Sequence, residues 1–113
     1  MTKELRDRGF IPLEDITLLM KDPKFKDFFP YSEPNMDEDD EENPISTGQD
    51  NYYHYPPKTE IYWGLEWVPA ENAYDLFSWG LNPNSENGIR FEITEFQTWV
   101  QDNIGYTPTC SNF

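Results

Sequence analysis

Hydrophobic positions change period along the chain, and each change marks an element. Pro12 suits a first helical position, and Glu14 and Asp15 then fall in the first turn, where carboxylates favour the helix dipole. Leu13, Ile16 and Met20 recur at helical spacing, and Lys21 follows near the negative end. Asp22-Pro23 restarts the pattern, with Phe25, Phe28 and Phe29 on one face before Pro30. The head therefore predicts two short helices. Helices this short are marginal alone, so they must dock by Leu13, Ile16, Met20, Phe25 and Phe28.

Strict alternation replaces this period from Ile61 to Val68. Ile61, Trp63, Leu65 and Trp67 point one way and Tyr62, Gly64, Glu66 and Val68 the other, which predicts a strand with one buried face. Residues 69–80 carry two patterns. Pro69, Glu71 and Gly80 punctuate a helix with Ala70, Ala73, Tyr74 and Phe77 on one face, and this is the reading adopted. The competing reading is a strand through Tyr74, Leu76 and Ser78. Asn82 to Gly88 reads as a turn, and Ile89, Phe91 and Ile93 alternate as a second strand. Thr94 with Gln97 forms a capping-box pattern. Phe96, Trp99, Val100 and Ile104 then predict a helix over 94–104, with Gly105 as its stop and 106–113 as a polar tail.

The middle segment has neither period. Pro34, Pro44, Pro56 and Pro57 punctuate residues 31–57, and Asp37, Glu38, Asp39, Asp40, Glu41 and Glu42 form an unbroken acidic run. Like charges this dense extend a chain. Three segments result: a helical head (1–30), an acidic, proline-punctuated loop or linker (31–57) and a core (58–113). The expected fold is α+β, a small antiparallel sheet of 60–68 and 89–93 covered by the C-terminal helix, with two short N-terminal helices and a long acidic loop.

Composition limits what such a chain can do. Leu, Ile, Val and Phe make up 21% of its 113 residues, close to the ~20% below which a highly charged chain stays disordered. Aromatic residues reach 17%, and their large buried areas compensate. The net charge is −14, distributed as zero over 1–32, −8 over 33–57 and −6 over 58–113. Direct binding to nucleic acid or to an anionic membrane is therefore disfavoured. No apolar run reaches membrane-spanning length, and Met1 to Phe10 carries no secretory apolar core. With a single cysteine, Cys110, and no Asn-x-Ser/Thr acceptor, the expected location is a reducing cytoplasm.

Candidate chemistry is sparse. From Asp37, the sixth position of a calcium loop would be Glu42 rather than glycine, and Asn43-Pro44 breaks the pattern. His54 and Cys110 are too few for a zinc site, no spacing links them as a catalytic pair, and no phosphate-binding loop or nucleophile elbow occurs. No cofactor is expected. Glu66 and Glu92 would form a carboxylate pair if their strands paired, and this is the weakest reading. Eight carboxylates, Glu60, Glu66, Glu71, Asp75, Glu86, Glu92, Glu95 and Asp102, flank the aromatic positions and suggest a folded acidic face. Tyr52, Tyr53 and Tyr55 close the acidic segment and are expected to be exposed, as tyrosines at protein interfaces are. The expected function is a non-enzymatic, acidic protein-interaction protein. Tyr52, Tyr53, Tyr55 and the acidic run would meet a basic protein surface, in the sharp version the groove of a nucleic-acid-processing protein, as nucleic-acid mimics of the phage counter-defence or immunity type do. The alternative is an accessory subunit of a larger assembly, such as a virus particle, with 33–57 as a clasp.

Overall fold

A computed structural model describes residues 2–37, 45–57, 59–80 and 87–111. In chain order the elements are α1 (Thr2–Asp7), β1 (Ile11–Pro12), α2 (Leu13–Leu19), α3 (Lys24–Phe28), β2 (Tyr31–Asp37), β3 (Ile45–Tyr53), β4 (Tyr62–Val68), β5 (Ala73–Trp79), α4 (Asn87–Ile104) and β6 (Cys110–Ser111). Strands β1-β5-β4-β3-β2 pair antiparallel in that order, and β6 joins β5 in parallel. This is the expected α+β architecture, a small antiparallel sheet covered by a C-terminal helix.

The alternation over 61–68 holds. Trp63, Leu65 and Trp67 are buried and Glu66 is exposed. Strand β5 pairs with β4 in unbroken register from Tyr62↔Trp79 to Val68↔Ala73, so partners share a face. Trp63, Leu65, Trp67, Tyr74, Leu76 and Ser78 therefore face the helices. Tyr62, Gly64, Glu66, Asp75, Phe77 and Trp79 face away from them.

Several local expectations are corrected. Residues 69–80 do not form a helix: strand pairing takes Ala73–Trp79, with Tyr74, Leu76 and Ser78 buried as the strand reading requires. Residues 89–93 are not a strand but the first turns of α4. Ile89, Ile93, Phe96 and Val100 form one buried stripe at helical spacing, and Phe91, which suggested alternation, stands 69% exposed. Thr94 lies inside this helix rather than capping it. Gly105 ends it as expected, at φ +93°, with its N–H on the Gln101 carbonyl at 2.9 Å. In the head, Leu19 takes the buried place assigned to Met20, which is exposed, and α1 adds a third short helix. The tail is not wholly polar coil, because Pro108 is buried and β6 extends the sheet.

The segment 31–57 is largely folded. Strands β2 and β3 pair from Tyr31↔Tyr53 to Asp37↔Ile45, with a register shift between Pro34 and Met36. Backbone pairing of β3 with β4 reaches only Tyr52↔Leu65 and Tyr53↔Gly64. Beyond it, two buried asparagines complete the connection. Asn51 Oδ1 accepts the Trp67 N–H at 2.9 Å, and Asn35 Nδ2 donates to the Trp67 carbonyl at 3.1 Å and to Asn51 Oδ1 at 2.9 Å. Side-chain amides thus satisfy strand groups that would otherwise be buried unpaired.

The core is mainly rings. Phe28 meets Phe96 and Trp99, and Phe29 meets Trp63 and Phe96, with centroids 5.0–5.4 Å apart. Phe25 meets Tyr52 edge-on at 5.2 Å. Helix α1 is tied in by charge: Arg6 makes a bidentate bond to the buried Asp15 carboxylate, at 2.8 and 3.0 Å.

Gly64 sets the spacing at the sheet centre. A Cβ there would lie 2.0 Å from the Tyr52 carbonyl oxygen, a backbone atom that cannot rotate away. Gly64→Ala is expected to cost about 1–3 kcal/mol through overpacking. Urea denaturation should show a lower midpoint at unchanged slope. An unchanged midpoint would contradict the close approach.

Candidate functional site

Among the described residues, the helices lie against one face of the sheet and leave the other to solvent. That open face has a definite chemistry. Tyr53 and Phe77 flank Gly64 on either side, because each is its cross-strand partner, and Tyr62 sits two residues before it. The three rings pack edge to face with centroids 5.8–6.1 Å apart. They cover the bare backbone of the glycine. Trp79 extends the group, 6.4 Å from Tyr62 with its plane tilted by 30°. It is 59% exposed, and Tyr31, the partner of Tyr53 on the edge strand, is 43% exposed.

Carboxylates border these rings. Tyr53 donates its hydroxyl to Glu33 Oε1 at 3.0 Å and so holds that side chain at the cluster. Glu66 and Asp75 are direct cross-strand partners. Two like charges placed opposite each other destabilise a sheet. Burial raises the Tyr62 hydroxyl above its ordinary value, and the negative charges of Glu33 and Glu66 raise it further. Strands β2 to β5 contain no Lys or Arg. The open face is therefore aromatic at its centre and acidic around it.

The three tyrosines singled out in the sequence are distributed differently from expectation. Tyr53 is not exposed: it is 6% accessible and anchors the open face. Tyr52 points to the helix side, half-buried against Phe25 and Tyr74. Tyr55 is half-buried against the core and donates its hydroxyl to Glu92 at 2.9 and 3.2 Å. Only Tyr53 of the three belongs to the open face. The backbone of Asp37 ends β2 opposite Ile45. Glu38, Asp39, Asp40, Glu41 and Glu42 lie outside the described residues, as does Glu86 and most of the expected turn at 82–88. The eight carboxylates do not form one face. Glu66 and Asp75 are on the open side of the sheet, Glu92, Glu95 and Asp102 are on α4 behind it, and Glu71 binds Arg8 at 2.8 and 3.1 Å.

A second cluster was not legible in the sequence, because it joins three distant elements. His54 stacks on Trp63 at 4.9 Å and bonds to the Phe28 carbonyl through Nδ1. A carbonyl only accepts, so Nδ1 carries the proton. Nε2 lies 3.4 Å from Glu92 Oε2. Lys24, Asp22, Asp27, Glu95 and Phe28 line the adjoining cleft of ≈ 550 Å³ with His54 and Glu92. No serine, threonine or cysteine lies among these lining residues, and the hydroxyl that meets Glu92 is that of Tyr55. Cys110 is buried on β6, three strand spacings or about 14 Å from β3, and does not meet His54. Burial pushes its thiol up to about 12. Glu92 stands on α4 rather than on a strand beside Glu66, so the proposed carboxylate pair is not assembled. Among the described residues no cluster could hold a metal ion, and no helix is long and apolar enough to cross a membrane.

Tyr53, Tyr74 and Tyr106 are raised well above the ordinary tyrosine value, first by burial and then by neighbours, Glu33 for Tyr53 and Asp15 for Tyr106. The folded protein keeps these protons at a pH where the unfolded chain, near 10, has released them. Stability is then full below about pH 10 and falls as pH rises further. Phenolate absorbance at 295 nm should appear for these residues together with loss of near-ultraviolet dichroism. Phenolate formation in a fold that stays intact would contradict their burial.

Comparison with known protein families, curated proteins and solved structures finds no match for this chain.

Proposed function

We propose that this chain is a non-enzymatic protein-binding module that presents the open face of its sheet to a basic protein surface. The observation that carries this reading is the coincidence on one face of exposed rings, bordering carboxylates and strands without a single Lys or Arg. Exposed aromatic area is typical of interface centres, and charge complementarity steers encounter and rejects wrong partners. In the sequence, the acidic run Asp37 to Glu42 begins at the last residue of β2 and adds six carboxylates. In the sharper form of this reading, the basic surface is the groove of a nucleic-acid-processing protein, and binding blocks it.

The test is titration of the full chain with a 20-residue peptide of mixed Lys and Arg at low and moderate salt. Binding should fall steeply with salt. Changing Glu33→Gln, Glu66→Gln and Asp75→Asn together should weaken it at least tenfold, and neutralising Asp37 to Glu42 should weaken it further. No binding at low salt would overturn the proposal, as would affinity indifferent to salt. Duplex DNA added as competitor should remove the peptide from the protein rather than bind the protein itself.

A further inference from the structure

We infer that the outer face of α4, where it borders α3, docks a basic amphipathic helix of a partner protein. This site lies on the helix side of the sheet and does not depend on the reading of the open face.

Helix α4 gives one side to the core, through Ile89, Ile93, Phe96 and Val100. Among the described residues, the neighbouring side is uncovered. Phe91, Glu95 and Trp99 form one row at a spacing of four, and Thr94, Thr98 and Asp102 form the next. With Lys24 of α3 these rows line a groove of ≈ 320 Å³. The His54 cleft adjoins it, because Lys24 and Glu95 line both. All of the row residues except Trp99 are exposed, Phe91 most of all at 69%. Rows at a spacing of four are the ridges between which a second helix packs. From Phe91 to Asp102 they run about 16 Å, or three turns.

The chemistry of the groove selects the occupant. Phe91 stands outside the core stripe and offers its ring to solvent, as an apolar anchor point. Across the groove and the adjoining cleft, five carboxylates (Asp22, Asp27, Glu92, Glu95 and Asp102) face one lysine. Glu92 is engaged by Tyr55, and Asp22 accepts the Lys24 backbone N–H at 3.0 Å. Lys24 itself turns to the Phe28 ring, with Nζ 5.5 Å from its centre. The exposed Asp27, Glu95 and Asp102 are therefore the carboxylates an incoming segment meets. A second copy of the chain would bring the same carboxylates to the contact, and nucleic acid or an anionic membrane carries the same sign. A cationic helix fits on both counts. Its anchors at i, i+3, i+4 and i+7 lie along the rows and against Phe91, and Lys or Arg beside them meet Glu95, one turn from Phe91, and Asp102, two turns further on.

The probes are two peptides of identical Leu and Lys content, one ordered as an amphipathic helix and one scrambled so that no apolar side forms. Each would be titrated into the full-length isotope-labelled protein and followed by NMR. The amphipathic peptide should bind at least tenfold more tightly and move the amides of Phe91, Glu95 and Thr98. Phe91→Ser, at an exposed position that leaves the core and the near-ultraviolet dichroism intact, should lower its affinity at least tenfold, and Glu95→Lys should do the same. Equal affinities for the two peptides, indifference to Phe91→Ser, or absence of binding would overturn the inference. A dimer in sedimentation that Phe91→Ser disperses would assign the face to a second copy and overturn it too. Shifts confined to β4 and β5 would overturn it while leaving the reading of the open face standing.

Discussion

Everything in this fold is hung on one column of aromatic rings. Phe28 and Phe29 come from the end of a five-residue helix and the residue after it, Trp63 from the central strand, and Phe96 and Trp99 from the long C-terminal helix, with contacts at 5.0–5.9 Å. Ile89, Ile93 and Val100 add aliphatic contacts along α4, and the rings supply the largest side chains where α3, α4 and the sheet meet. Large rings bury much area per residue, which is how an acidic chain of 113 residues closes a core. The lone histidine belongs to this column, stacked on Trp63 and bonded to the end of α3, so its first role is to lock β3 to the helices.

That column makes the second group of rings informative. Tyr53, Tyr62, Phe77 and Trp79 lie across the sheet from the helices and add nothing to helix docking. Part of their role is local, since three of them cover Gly64, whose missing side chain lets β3 approach β4. Trp79 covers no glycine in that way and is more than half exposed. Exposed aromatic surface destabilises a soluble protein by promoting association unless charge opposes it. The carboxylates around the rings supply that opposition.

Sequence patterns revealed the elements that pack on their own side chains and missed those held by other means. The strand through Trp63, Leu65 and Trp67 was legible because its alternation is its packing. Residues 89–93 read as a strand because Ile89 and Ile93 satisfy a period of two as well as a spacing of four; the exposure of Phe91 shows that the helical spacing is the one used. Pro69, Glu71 and Gly80 imitate helix punctuation around 73–79, where cross-strand pairing to β4 prevails over local signals. The β2–β3 hairpin was hidden because Asn35 and Asn51, polar residues that read as loop, complete its connection to β4 through side-chain amides. The open face was half visible: Tyr62 and Glu66 could be placed on one side of a strand, but their neighbours Tyr53, Phe77 and Trp79 could not be assigned without the pairing.

The distribution of charge follows the same division of labour. Six of the eight basic residues lie in the head, where Arg6 and Arg8 are consumed by Asp15 and Glu71 and stitch α1 to α2 and to the β4–β5 turn. Neutrality in the head is thus a folding device. The strands, by contrast, carry Glu33, Asp37, Asp50, Glu66 and Asp75 with no basic residue among them, and folding gathers three of these around exposed rings. Solubility alone would be served by carboxylates anywhere on the surface. It does not require that three of them share one face of the sheet. Paired charge in the head thus serves folding, whereas Glu33, Glu66 and Asp75 lie on the sheet face turned away from the helices.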